Sequence, residues 1–174
     1  MPKEMHEKLL TPRMLGRRVT ENDFDDVHRL NNDPQVAKSL GGPPSDSQMR
    51  EAFRNNLEHW ERHGYGVWTF HLRQDDRFVG RAGIRNITIE NVPEIELLYA
   101  LMPEFWRQGF ATEMARAILQ VASALEISNL VAVTLPTNLG SRGVMEKVGF
   151  QFEREVTWAN LPHVLYRKFF STNT

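Results

Sequence analysis

The chain contains no cysteine. Disulfides, thiolate nucleophiles and Cys-ligated metals are therefore excluded. It also lacks any apolar run approaching the roughly 20 residues that a helix needs to cross a bilayer. The opening Met1-Pro2-Lys3-Glu4-Met5-His6-Glu7 has no apolar centre of the leader-peptide kind, so the expected location is cytoplasmic, without a membrane partner. There is no surplus of charge: 21 Lys and Arg stand against 22 Asp and Glu, a net charge of -1. Nucleic-acid backbones demand a basic surface, so no direct nucleic-acid partner is expected. Internal repeats, low-complexity tracts and linker-like stretches are missing too. What remains is 174 residues, 41% hydrophobic and 25% charged, the profile of one globular domain, assigned here to residues 8–172.

Periodicity divides the chain into alternating elements. Met14 to Val19 reads as a first strand. Thr20 with Asp23 forms an acidic capping box, and Phe24, Val27 and Leu30 mark one face of the helix that follows. Gly41-Gly42-Pro43-Pro44 is a turn. Ser45 and Gln48 form a second capping box. Met49, Phe53, Leu57 and Trp60 then trace an amphipathic helix to about Arg62, ended by Gly64. Val67 to Arg73 and Phe78 to about Ile87 read as an antiparallel pair. Ile95 to Leu101 is a central strand stopped by Pro103, and a helix starts at Gly109. Leu130 to Leu135 is a strand, Asn138 to Val148 a short helix closed by Gly149. Two strands complete the chain, joined by a turn at Asn160-Leu161-Pro162. The order predicts a single α/β domain.

The segment Phe105-Trp106-Arg107-Gln108-Gly109-Phe110-Ala111-Thr112-Glu113 joins a predicted strand to a predicted helix. Gly109 admits backbone angles closed to other residues and allows a ligand to approach the main chain. Free N–H groups and the helix dipole in the next turn favour a phosphate, and Arg107 supplies positive charge. A plain strand-to-helix turn would need no more than this one glycine. The segment is neither a P-loop, lacking Gly-Lys-Ser/Thr, nor a dinucleotide fingerprint, lacking the glycine triplet.

These residues resemble the cofactor motif of the GNAT superfamily of N-acetyltransferases, Gln/Arg-x-x-Gly-x-Gly/Ala. Gly109 and Ala111 occupy its small positions, and Trp106 stands where Gln or Arg is usual. The branch it resembles includes enzymes that acetylate ribosomal-protein N-termini, where the segment typically runs Tyr-Trp-Gly-Lys-Gly-Tyr-Ala-Thr-Glu-Ala. Here Arg107 replaces the Gly and Gln108 the Lys. Further matches follow in order at Leu10-Thr11-Pro12-Arg13-Met14, Asn32-Asp33-Pro34-Gln35-Val36, Gly64-Tyr65-Gly66-Val67-Trp68, Glu96 to Leu101, and Asn138, Ser141 and Glu146-Lys147-x-Gly149-Phe150.

The resemblance implies a mixed, mostly antiparallel sheet with a splayed parallel strand pair and about four flanking helices. It implies acetyl-CoA as cosubstrate, without a metal, and transfer to an amine of a protein N-terminus or a small molecule. Leu98, Tyr99 and Leu101 would lie along the pantetheine, Arg107, Gln108, Gly109, Phe110, Ala111 and Thr112 around the pyrophosphate, and Asn138 against the pantetheine arm. The thioester carbonyl would meet a backbone N–H near Leu98 or Tyr99.

Acetyl transfer needs a neutral nitrogen nucleophile, a polarised carbonyl and a proton for the departing thiolate. Glu96, a carboxylate within an apolar strand, is the candidate base, although a solvent-facing or ion-paired role fits the pattern as well. Glu94 is its neighbour on the same face; Glu153 and His163 are weaker candidates. Ser141 is the candidate acid, with Tyr99 and Tyr166 as competitors. Trp60 is expected in the core and Trp68 at the acceptor cleft. A non-catalytic domain that binds acyl-CoA or a protein partner is the alternative reading, and monomer and homodimer are both compatible with the sequence.

Overall fold

The computed structural model describes residues 6–171, so residue 172 of the assigned domain lies outside them. Eight strands form one sheet in the order β1-β2-β3-β4-β5-β6-β8-β7: β1 (Lys8–Leu10), β2 (Met14–Arg18), β3 (Val67–Leu72), β4 (Phe78–Ile89), β5 (Val92–Leu101), β6 (Asn129–Thr134), β7 (Gln151–Trp158) and β8 (Leu161–Phe169). Every neighbouring pair is antiparallel except β5 and β6. The helices are α1 (Phe24–Asn32), α2 (Pro34–Ser39), α3 (Asp46–His63), α4 (Phe110–Ala124) and α5 (Leu139–Lys147). This is the mixed, mostly antiparallel sheet with one parallel pair that the family resemblance implies.

Both capping boxes form. The Thr20 amide donates to Asp23, and Ser45 and Gln48 satisfy each other's backbone before α3. Gly64 ends α3 in the left-handed region at φ 75°, where a side chain would be strained. α4 packs its apolar face on β4 and β5, burying Met114, Ala115, Ile118 and Ala122 in the main core with Trp60, Phe70 and Leu97. A smaller cluster joins Leu30 of α1 and Val36 of α2 to Phe78 and Ala100 on the sheet.

Four features differ from the sequence reading. β1 pairs with β2 ahead of the predicted first strand. α2 is an additional helix, capped by Asp33, whose carboxylate accepts from the Gln35 and Val36 amides. β4 and β5 run on to a two-residue turn at Glu90-Asn91, with φ of 48° and 67°. The β7–β8 turn falls at Ala159-Asn160, φ 50° and 62°, so Leu161 and Pro162 belong to β8. Trp68 is fully buried and its indole donates to the His6 carbonyl. Its place is the core, which corrects its expected position at the acceptor cleft.

Candidate active site

The parallel pair β5–β6 is joined at one register point, Glu96 opposite Val131. Beyond it β5 continues to Leu101 and β6 to Thr134 without further pairing, so the strands diverge towards their C-terminal ends. Strand register shows which β5 peptides face this opening. Ile89 and Val92 close the tight hairpin, and the Met102 amide donates to the Val79 carbonyl. Alternation then commits the peptides of Glu96, Leu98 and Ala100 to β4 and turns those of Leu97, Tyr99 and Leu101 towards β6. The Leu98 amide is thus absorbed by its pairing with Gly83, and the Tyr99 amide is the one presented to the opening. The Leu101 carbonyl accepts from the Trp106 indole at 2.8 Å, leaving the Tyr99 amide and carbonyl and the Leu101 amide along an extended edge. Such an edge accepts an extended amide-bearing chain as a further strand would be accepted.

The start of α4 lies at the end of this edge. Gly109 is its N-cap at φ 80°, and no side chain caps the helix. The Phe110, Ala111 and Thr112 amides therefore lack intrahelical partners and point out of the helix start. Gln108 is exposed and donates back to the Glu104 carbonyl at 2.7 Å. Arg13 braces the loop: it donates to the Gln108 carbonyl at 2.9 Å, pairs with Glu113 at 2.7 Å, and lies 3.8 Å over the Phe110 ring. That pair neutralises the one carboxylate in the first turn, which would otherwise oppose an anion. Burial pushes the Glu113 pKa up, but hydrogen bonds from Thr11 and Arg13 outweigh it, and the net shift is downward. Arg107 is exposed and held at φ 58°.

α5 closes the other side of the opening. Asn138 caps it, its side chain accepting from the Ser141 amide at 3.1 Å while its amide nitrogen is 3.5 Å from the Ser39 carbonyl. Leu139 follows at 72% exposure, an apolar side chain without cover. The fold brings Ser141 and Tyr99 together: the phenol donates to the Ser141 carbonyl at 2.9 Å, and the two hydroxyls are 3.1 Å apart. With its proton engaged, the phenol oxygen accepts from the serine. Burial pushes the Tyr99 phenol up to about 12, against the lowering effect of Ser141. Tyr166 is directed elsewhere, its buried hydroxyl accepting from Arg142 and donating to Glu146, both at 3.1 Å.

Glu96 is 5% exposed, with one carboxylate oxygen 3.0 Å from Arg85 Nε. Arg167 holds both oxygens of Glu94, at 2.7 and 2.9 Å, and also pairs with Glu153. Among the described residues Glu96 thus keeps one oxygen without a hydrogen-bond partner, where Glu94 does not. His163 is buried against the Leu161 carbonyl at 3.0 Å. Residues that sequence reasoning passed over include Arg85, whose register opposite Glu96 depends on the hidden Glu90-Asn91 turn, and Leu139, which adjoins the recognised Asn138. Among the described residues no three or more potential ligands gather to hold a metal. Two surface depressions, of about 450 Å³ beside Arg17, His71 and Glu104 and about 230 Å³ beside Asn86, Ile95 and Ser128, lie off the opening.

A family model described as an acetyltransferase (GNAT) domain matches residues 13–151. YkkB of Bacillus subtilis is 28% identical over 163 residues, covering 92% of this chain and 95% of its own. An N-acetyltransferase of the same organism, YoaA, is 26% identical, with 83% of each chain covered. Among solved structures, an acetyltransferase from Agrobacterium tumefaciens superposes with a TM-score of 0.84 at 24% identity over 94% of both chains. RimL, a ribosomal L7/L12 alpha-N-protein acetyltransferase solved with coenzyme A, gives 0.77 at 19% identity, covering 94% of this chain and 98% of that one.

Proposed function

Because the chain belongs to the GNAT acetyltransferase family, we propose that it transfers acetyl from acetyl-CoA to a primary amine by direct attack within a ternary complex. The observation that carries this reading is the Tyr99 amide, left free on a splayed strand edge between an uncapped helix start and a tyrosine–serine pair. The α4 amides with Arg107 hold the pyrophosphate, and the Tyr99 and Leu101 edge with Asn138 aligns the pantetheine. Acetyl-CoA supplies the activated acetyl group. The chain's own residues supply orientation, oxyanion stabilisation and proton transfer.

In this mechanism Glu96, directly or through water, takes the proton released as the amine nitrogen bonds to the carbonyl carbon. The Tyr99 amide donates to the oxygen where negative charge develops. As the C–S bond breaks, the Tyr99 phenol turns its one proton from the Ser141 carbonyl to hydrogen-bond the departing sulfur, which takes its own proton from solvent. A thiol titrates near about 8.5, so full transfer from a phenol at about 12 is uphill. Tyr99 therefore contributes chiefly as a hydrogen-bond donor while the sulfur charges. The cytoplasm, where the cosubstrate and free amines meet, is the location proposed.

Calorimetry with acetyl-CoA, followed by thiol release across an amine panel, tests this reading. Glu96→Gln is expected to lower turnover by about 100-fold or more, the usual range for losing a general base, while acetyl-CoA affinity stays within about threefold. Equal turnover of wild type and variant across the pH range removes Glu96 from the base role. Binding without turnover of any amine favours a non-catalytic acyl-CoA module, the reading raised by Trp106, Arg107 and Gln108 departing from the family pattern.

A further inference from the structure

Arg81 stands apart from the other arginines of the sheet. It is half-buried in β4 and has no carboxylate partner among the described residues. Among the described residues its one polar contact is a long one, 3.5 Å to Asn31 Oδ1 at the end of α1. A guanidinium offers five N–H donors, so most of its capacity is unspent. Thr69 lies directly opposite Arg81 in the β3–β4 register, hence on the same face. Its buried hydroxyl has no hydrogen-bond partner either. Native proteins seldom leave neighbouring polar groups unmet in this way unless something else satisfies them.

The position of Arg81 ties it to the reaction. Arg81 is paired across the ladder with Ala100, and Arg85 with Glu96. All four share one face of β4–β5, with Gly83 between the arginines carrying no side chain. The proposed base thus lies at one end of this strip and the uncommitted guanidinium at the other. The Tyr99 amide falls between the two along β5. Arg85 spends its charge on Glu96 at 3.0 Å, whereas Arg81 has nothing comparable. Burial and the neighbouring Arg85 press its pKa down to about 10, with Glu96 opposing, the mark of a cation that is short of an anion.

We propose that Arg81 is a specificity residue that binds a carboxylate carried by the acceptor, so that the substrates are amines bearing an anionic group, held by Arg81 at one end and presented to Glu96 at the other. This rests on the N-acetyltransferase reading and narrows its acceptor to amino acids or short peptides with a nearby carboxylate. A planar guanidinium matches a carboxylate through two parallel hydrogen bonds, and a half-buried cation without a partner discriminates against a neutral isostere.

The test uses matched acceptors: amino acids and acidic dipeptides beside the same molecules with each carboxylate converted to a primary amide. Wild type is expected to favour the carboxylate member by at least about tenfold in kcat/KM, chiefly through KM. In Arg81→Gln the ratio should fall to about one, and Arg81→Lys should restore part of it. Melting temperature separates this role from a structural one. Removing a poorly paired cation should leave Arg81→Gln as stable as wild type or more so, whereas a structural arginine would lower it. Equal use of acid and amide by wild type, or a preference that survives in Arg81→Gln, overturns the subsite and leaves acetyl transfer standing. Where no amine turns over, the N-acetyltransferase reading fails. The subsite is then read by the thermal shift that the carboxylates, and not their amides, produce in the protein with coenzyme A bound. No such shift overturns it.

Discussion

At the scale of single residues, the proposed chemistry is open to test at Tyr99, Ser141 and Arg107. Tyr99 holds two positions at once, its amide on the open strand edge and its phenol against Ser141. Tyr99→Phe removes the hydroxyl and spares the amide. It should lower kcat by about 10- to 100-fold, the cost of one hydrogen bond to developing charge, with the KM for acetyl-CoA nearly unchanged. Ser141→Ala should cost less, because the Ser141 carbonyl still accepts from the phenol at 2.9 Å. Steady-state kinetics of the two variants decide the roles, since a dead serine variant beside an active phenylalanine variant would reverse them. Arg107 tells a different story. The family motif that the segment resembles has glycine there, and Arg107 holds a left-handed backbone at φ 58°, which costs a side-chain-bearing residue about 1 kcal/mol. Arg107→Gly should therefore melt no lower than wild type. Loss of one exposed charge, worth about 0.5 kcal/mol, should raise the KM for acetyl-CoA about two- to threefold.

At the scale of elements, the sequence was most readable where local chemistry decides. Thr20 with Asp23, Ser45 with Gln48 and Gly64 announce helix ends through hydrogen bonds to their own backbone. Asn138 belongs with them, and Asn138→Ala should cost about 1 kcal/mol as a lost N-cap, lowering Tm by about 3 °C and raising the KM for acetyl-CoA by releasing the first turn of α5. A variant that melts like wild type would deny Asn138 the capping role. Illegible elements were those set by distant partners. Glu90 is a poor residue for a left-handed turn, but its carboxylate accepts from the Thr157 amide and from Arg154, so the hairpin is held from the far edge of the sheet. Pro162 reads as a turn residue, yet its missing N–H faces away from β7 at a non-hydrogen-bonded position opposite Thr157 and costs the ladder nothing. The splay of β5 from β6 was visible only through family resemblance, because it consists of pairing that does not occur. Glu96 was legible as an acid in an apolar strand. Arg85 and Arg81 were not, since their partners follow from the β4–β5 register.

At the scale of the whole molecule, two histidines and a set of hydrogen-bonded carboxylates, Glu113 among them, tie stability to pH. His71 is 5% exposed, with Nδ1 buried and unpartnered, and packs edge-on to Phe78. Burial, reinforced by Arg17, lowers its pKa, although Asp76, Asp23 and Asp26 pull the other way. His59 accepts the Asn86 amide on Nε2 at 2.9 Å, which fixes the neutral ring with its Nδ1 proton towards the Tyr65 carbonyl; burial lowers its pKa as well. For a base with a depressed folded pKa, the unfolded chain binds the proton first. Stability is then fully present above the unfolded value near about 6.5 and is lost as pH falls below it. Glu113 acts lower on the scale: its folded pKa is depressed, so its contribution is present above the unfolded carboxylate value and fades as pH falls through the folded one. Urea unfolding at a series of pH values should show stability dropping as pH falls below about 6.5, with a slope of at most about two protons, and a second decline below about pH 4.5. His71→Leu should flatten the first limb while preserving or raising stability at pH 7.5, because it removes a buried, unsatisfied Nδ1 and keeps an apolar side chain against Phe78. An unchanged slope in that variant would assign the acid sensitivity to His59, whose ring joins the end of α3 to β4 across the sheet margin.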